Sequence, residues 1–316
     1  MLISNPYSML PDQRLITIEN NEKMIKELVR DLIINPRILA QRWSKITHQT
    51  PNLKIGYPAQ HLASLITGIK GNATAARGDD ILDGTEVKSC SRVDQVDKCK
   101  KCKKNVLRSA NSCENCGNSK ITRNNDSKWL FTIKNKSDLE LLHNSIPRIL
   151  FFISDYLNFD SSDFNTIRFQ AFEIWPKSSR QSNFLTILNN YYNKIYLEHK
   201  KNNPNKTPAP KNFWPESFQF YMCNPIKVFE CIVKNSDSLD STINITHYIK
   251  PNSDRKDLPS EPLPKILLNK EEIKLLKRKF SNIDELDFIS EEMKQDLPLR
   301  DTDKISENKK AYIRRV

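Results

Sequence analysis

Arg77-Gly78-Asp79-Asp80-Ile81-Leu82-Asp83-Gly84-Thr85-Glu86-Val87-Lys88 is the stretch on which the reading of this chain turns. Asp83-Gly84 is a two-residue turn signal of the kind that closes β-hairpins. With those two residues as the loop, Leu82 faces Thr85, Ile81 faces Glu86, Asp80 faces Val87 and Asp79 faces Lys88. Side chains alternate across a pleated sheet. Asp79, Glu86 and Lys88 therefore share one face, while Leu82 and Val87 point the other way, into a core. Opposite and diagonal neighbours on paired strands are close enough to act together. Two converging carboxylates repel each other, and a hard divalent cation relieves that repulsion. Mg²⁺ takes one or two carboxylates and completes its shell with water and phosphate oxygens. A lysine beside them can orient a water molecule. Those are the parts of metal-assisted phosphodiester hydrolysis.

The rest of the chain fits an anionic partner. Its 316 residues carry 50 Lys and Arg against 38 Asp and Glu, a formal net charge of +12. A basic balance of this size points to nucleic acid. Residues 91–136 concentrate it, with twelve basic side chains against four acidic ones directly after the candidate site. The opening MLISNPYSML lacks a basic start followed by an apolar run, so no secretory signal is expected there. The strongest apolar run, Ile149 to Ile153, is far too short for a bilayer. The expectation is a cytoplasmic protein with no membrane association, whose seven cysteines are reduced or metal-bound.

Four of those cysteines explain themselves. Cys99-Lys-Lys-Cys102 and Cys113-Glu-Asn-Cys116-Gly117 are two CxxC knuckles ten residues apart, the spacing of a zinc ribbon with four thiolates around Zn²⁺. Such a loop is too small for a core, so metal binding supplies its folding energy. Lys98, Lys100, Lys101, Lys103 and Lys104 lie among the ligands. Binding to DNA phosphates and a purely structural ribbon both remain open readings. Cys90, Cys223 and Cys231 lack ligand spacing and read as buried thiols.

Periodicity predicts helices over 20–34, from Pro36 to about 45, and from Pro58 to about 67, the last placing Gln60 and His61 in its first turn beside the site. His61 reads as surface or core rather than chemistry. Strands are predicted over 129–133, 148–154, 166–175, 218–222 and 227–233, with helices over 137–144 and 183–199. Glu173 and Asp94 fall near the expected core. Four prolines in 251–264 mark a linker, followed by helices over 270–279 and 283–294. The domain expectation is an N-terminal helical segment (1–55), a core (56–250) with the ribbon inserted at 97–123, and a C-terminal linker and helical segment (251–316).

The hairpin resembles the active-site motif of the PD-(D/E)XK nuclease superfamily, with Glu86-Val87-Lys88 as its (D/E)XK part and Asp79 as the upstream acid. Gly78 stands where the superfamily has proline, which leaves Asp79 and Asp80 as rivals; parity in the hairpin favours Asp79. A wider set of stretches is similar to the MamI-like type II restriction endonucleases: Gly56-Tyr57-Pro58-Ala59-Gln60-His61-Leu62, Gly84 to Cys90, Asp94-Gln95-Val96-Asp97, both CxxC pairs and Asp126-Ser127-Lys128-Trp129-Leu130-Phe131. That resemblance covers roughly residues 55–220. It implies an α/β (α+β) fold, a mixed sheet flanked by helices with a zinc-ribbon insertion. It also implies a homodimeric, Mg²⁺-dependent restriction-modification nuclease that cuts double-stranded DNA at a short symmetric site. Asp79 and Glu86 would bind Mg²⁺ with the Val87 carbonyl as a further ligand, Lys88 would position the attacking water, and Gln60 would assist. Asp80 would bind a second metal or nothing, and Asp83 would only turn the chain. Two other readings stand beside it: a repair or recombination nuclease of the same fold, and a non-catalytic zinc-ribbon DNA-binding or transcription module.

Overall fold

The computed structural model describes residues 9–73 and 79–302. Arg77 and Gly78 of the decisive stretch lie outside the described residues, as do the first eight residues and 303–316. In chain order the elements are α1 (Asn21–Leu28), α2 (Asn35–Thr47), α3 (Gly56–Thr67), β1 (Glu86–Ser91), β2 (Asp97–Cys99), β3 (Asn105–Val106), β4 (Ile121–Thr122), β5 (Trp129–Phe131), α4 (Lys136–Asn144), β6 (Ile149–Tyr156), β7 (Ile167–Ile174), α5 (Asn183–Asn190), α6 (Leu197–Asn202), β8 (Lys211–Phe213), α7 (Phe218–Met222), β9 (Ile226–Lys234), β10 (Thr242–Tyr248), β11 (Leu263–Pro264), α8 (Lys270–Lys277), β12 (Phe288–Ile289) and α9 (Glu291–Lys294).

One five-stranded mixed sheet, in the order β1-β6-β7-β9-β10, organises the molecule. β1 runs parallel to β6, pairing Glu86 with Ile149, and the remaining neighbours are antiparallel. β6 is buried along its whole length, as its unbroken apolar run requires of a strand covered on both faces. Its alternate side chains feed two cores. Ile149, Phe151 and Ile153 pack with Trp129, Phe131, Phe184 and Phe213 on one face. Leu150 and Phe152 pack with α1 and α3 residues such as Ile25, Leu62 and Ile66 on the other. This is the helix-flanked mixed sheet expected from sequence.

The helices begin and end as their residues dictate. Gly68 closes α3 in the left-handed conformation at φ 70, where a side chain would be strained. α1 and α2 are joined without a break by a π-helical stretch, Val29–Ile34, so two expected helices form one longer element. Three segments depart from expectation. Phe218–Met222 is a helix rather than a strand: Ser217 caps it by accepting from the Phe220 N–H, and all five residues are buried. A run of five residues, all of them buried, is too short for periodicity to betray its type. Residues 283–294 do not form one helix; β12 pairs with β11, and Ser290 starts the separate α9. Pro251, Arg255 and Leu263 are buried in the stretch read as a linker, and Leu263, Leu276, Ile283 and Ile289 join the main core. Pairing between β11 and β12 competes with helical spacing there, and nothing local announces it.

Candidate active site and cysteine ribbon

The turn that leads into β1 differs from the one the dipeptide Asp83-Gly84 favours. The Gly84 N–H donates to the Ile81 carbonyl at 2.9 Å, so Leu82 and Asp83 are the central residues. Asp80 and Ile81 both donate to the Thr85 carbonyl at 3.2 Å, and Ile81 bridges to Gly71 on its other side. The frame is therefore shifted by one residue. Ile81 is buried, whereas Leu82, expected in the core, is 49% exposed. Burying an isoleucine contributes about 2–3 kcal/mol, more than the preference of one turn type over another. Asp83 adds to the same choice. Its Oδ1 accepts from the Thr85 N–H at 3.0 Å and its Oδ2 meets Arg148 Nη2 at 2.5 Å.

The second hairpin strand is replaced by a carboxylate. Glu86 and Arg92 donate their N–H groups to β6, at 3.0 and 2.8 Å. Alternation along a parallel strand then turns the N–H and C=O of Val87 to the open edge. There Asp80 Oδ2 accepts the Val87 N–H at 2.7 Å, and Asp80 Oδ1 accepts from Gln60 Nε2 of α3 at 2.6 Å. Gln60 thus reaches the site through Asp80. On the face of β1 toward Phe131, Lys88 Nζ lies 2.5 Å from Glu86 Oε1 and 5.6 Å from the centre of the Phe131 ring. Both side chains are part-buried. Burial pushes the Glu86 carboxyl above its ordinary range; Lys88 opposes this, and the negative charges of Asp80 and, less strongly, Asp79 add to it. Glu86 and Asp80 set two carboxylates beside one ammonium, and a hard divalent cation relieves the repulsion between converging carboxylates. These acids form an open set. The cysteines of the ribbon are the one group of three or more potential ligands held within 4.8 Å among the described residues. A cation bound by one or two carboxylates and several waters suits the open arrangement.

Beneath the site lies a buried ion network. Arg148, at the entry to β6, donates from Nε to Thr85 Oγ1 at 2.8 Å and from Nη1 to Glu173 Oε1 at 3.0 Å. Glu173 Oε2 also takes Arg255 Nε at 3.1 Å and Trp175 Nε1 at 3.0 Å. Burial would raise the Glu173 carboxyl, but Arg255 and Arg148 hold it below the usual range. Asp94 is likewise structural, meeting Arg37 at 2.7 Å and Tyr156 at 2.6 Å. His61 sits on the surface. Cys90 shares the face of Lys88, yet burial pushes its thiol up, the opposite direction from an activated nucleophile. Sequence reasoning missed Arg148 and Thr85. Their adjacency to Glu86 follows from the β1–β6 register, and no local pattern carries it.

The ribbon forms from β2, β3 and β4. Its four Sγ atoms lie within 4.8 Å of one another, with Cys99 to Cys116 at 3.6 Å and Cys102 to Cys113 at 3.5 Å. Four sulfurs at Zn–S bond length around a tetrahedral ion stand about 3.8 Å apart, so the donor set fits Zn²⁺. Asp97, fully buried, ties the ribbon together by accepting from Arg123 at 2.8 Å and the Asn124 N–H at 2.7 Å, and pairs with Arg108 at 3.0 Å. Arg108 in turn stacks on Phe164, Phe159 and Tyr156 at 5.0, 5.1 and 5.8 Å, anchoring the ribbon where β6 ends.

Residues 42–266 match the family model described as MamI restriction endonuclease. The chain belongs to that family. Of curated proteins, the type II restriction enzyme MamI of Microbacterium ammoniaphilum is 35% identical over 78 residues. That match spans a quarter of this chain and a quarter of the relative. No solved structure matches. Among the described residues, no helix is long and apolar enough to cross a membrane.

Proposed function

We propose that this protein is a type II restriction endonuclease that hydrolyses double-stranded DNA at a short specific sequence with Mg²⁺ as cofactor. One observation carries the reading: a part-buried carboxylate–lysine pair on the edge strand, with Asp80 and Asp79 near enough to raise Glu86. Asp79 and Glu86 remain the proposed Mg²⁺ ligands, with the Val87 carbonyl on the same open edge as Asp80. Asp80 joins the proposed ligand set, because its carboxylate is hydrogen-bonded to the strand at Val87. When bound, the ion supplies Lewis-acid polarisation of the phosphodiester and stabilises the hydroxide form of an attacking water.

The chain's own residues do the rest. Gln60 and the Val87 N–H fix the direction of the Asp80 carboxylate. Glu86 holds Lys88 in place, and the ammonium offers its remaining donors to the attacking water and to charge developing on the phosphate. Arg148 and Asp83 pin the turn before Glu86 through Thr85. One such acidic edge occurs among the described residues, whereas a duplex has two strands to cut. We propose a homodimer with a symmetric target, so that each protomer meets one strand.

The test is digestion of plasmid DNA with and without Mg²⁺. Discrete fragments are expected from the wild type, and a loss of at least about a hundredfold in rate from Lys88→Ala and from Glu86→Gln. Mg²⁺-independent binding with no strand breaks at any metal concentration would overturn the reading in favour of a non-catalytic DNA-binding module. A smear without discrete ends would instead favour a sequence-indifferent repair or recombination nuclease.

A further inference from the structure

The basic side chains of residues 91–136 divide sharply by use. Arg92 is buried against Glu216 at 2.6 Å. Arg108 and Arg123 are consumed by Asp97. Lys136 pairs with Glu140, and Lys128 lies over Trp214. The fold therefore uses the arginines as internal fasteners. Seven lysines remain, all exposed: Lys134 lies outside the ribbon, and Lys98, Lys100, Lys101, Lys103, Lys104 and Lys120 lie on it. The ribbon's two acids are already engaged: Asp97 lies inside it, and Glu114 faces His48 at 3.3 Å. Zn²⁺ with four thiolates has a charge of −2 and offsets two lysines. An excess of about four positive charges then remains on a module of fewer than thirty residues. Such crowding costs self-repulsion that an anionic partner relieves.

The position of the ribbon gives the excess a target. β6 begins at Ile149, beside Glu86, and ends at Tyr156, where Arg108 anchors the ribbon. Seven strand steps of about 3.3 Å place that anchor about 23 Å from the catalytic edge. Phosphates on one DNA strand follow each other every 3.4 Å or so, so a duplex lying along β6 would span about seven base pairs over this distance.

We propose that the exposed ribbon lysines grip backbone phosphates of the DNA duplex several base pairs from the scissile bond, as a sequence-independent clamp. The placement relative to the cut rests on the nuclease reading above; the binding itself does not. The clamp positions the duplex and reads no bases.

The experiment is fluorescence anisotropy on a labelled duplex of about three helical turns, with Mg²⁺ omitted and salt varied from about 50 to 200 mM. Full-length wild type is compared with K100Q/K101Q/K103Q/K104Q and, on the strands of the ribbon, with K98Q/K120Q. Zinc content is measured for each. Each phosphate that a variant no longer neutralises takes about 0.9 from the slope of log affinity against log salt. The quadruple variant is expected to lose its hold on at least about two phosphates, and the double variant on about one. Both reductions should be the same on unrelated duplex sequences. Slopes unchanged in zinc-loaded variants would overturn the clamp, and if the quadruple variant loses zinc the double variant decides alone. A wild type that binds through these lysines but never cuts would sink the nuclease reading and leave the clamp standing. Cutting with unaltered slopes would do the reverse.

Discussion

Replacing Arg148 tests whether the ion network under the turn positions the site. Its guanidinium is buried and serves Thr85, Asp83 and Glu173, while Arg255 serves Glu173 from the other side. Two arginines and two acids balance. Arg148→Met leaves a buried surplus of one negative charge and takes away the one hydrogen bond donated to the Thr85 hydroxyl from β6. Removing one partner from a buried charge network costs about 3–5 kcal/mol. For a chain of this size that corresponds to a fall of about 5–8 °C in Tm. Arg148→Lys keeps the charge but loses the fork that reaches three acceptors at once, and is expected to recover less than half of the loss. Adding Glu173→Gln to Arg148→Met restores the charge balance, so the double variant should be more stable than the sum of the singles by about 1–3 kcal/mol. Urea unfolding of the four proteins supplies the cycle. At temperatures well below melting, Arg148→Met should still lose DNA cleavage, because Thr85 sets the direction from which Glu86 enters β1. A cost below about 1 kcal/mol, strict additivity with Glu173→Gln, or full cleavage by a folded Arg148→Met protein would each refute the reasoning.

Other perturbations separate the remaining claims. Glu86 has its folded pKa raised, chiefly by burial, so the native state holds the proton longer than the unfolded chain does. Its contribution to stability is therefore present at low pH and is lost as pH rises through the raised value. In metal-free buffer at neutral pH, Glu86→Gln should melt at or up to about 2 °C above wild type. The difference should vanish below the ordinary glutamate range, and the variant should lose the Mg²⁺-dependent rise in Tm; a melting point well below wild type at neutral pH would contradict this. The shifted turn predicts that Ile81→Ala costs about 2–5 kcal/mol, while Leu82→Ala changes stability by no more than about 0.5 kcal/mol. The opposite order in denaturant melts would restore the register that Asp83-Gly84 favours. Cys113→Ser should abolish stoichiometric zinc binding and open the segment 97–123 to protease. Survival of that segment in a metal-free protein would show that the ribbon folds without the ion.

Whatever depends on nearby residues was legible in the chain. The two CxxC knuckles specify a cluster of four thiols, because ligand spacing involves only close neighbours, and the fold brings the four Sγ atoms within 4.8 Å of one another. The apolar run of β6 identifies a central strand, and Gly68 marks the end of α3, for the same reason. The departures are all non-local. Phe218–Met222 folds as a helix, and residues 283–294 split around β12, because packing and strand partners override short-range pattern.

The site divides along the same line. Glu86 and Lys88 share a face of one strand because alternate residues of any strand must, so the amino-acid order alone placed them together. The carboxylate that reaches the strand to join them was settled only by tertiary structure. Burial of Ile81 and the pull of Arg148 on Asp83 moved the turn by one residue, and Asp80 came to the edge of Val87 held by a glutamine twenty positions earlier. Register is set by what a strand packs against, and the chain carries that information in residues far from the motif.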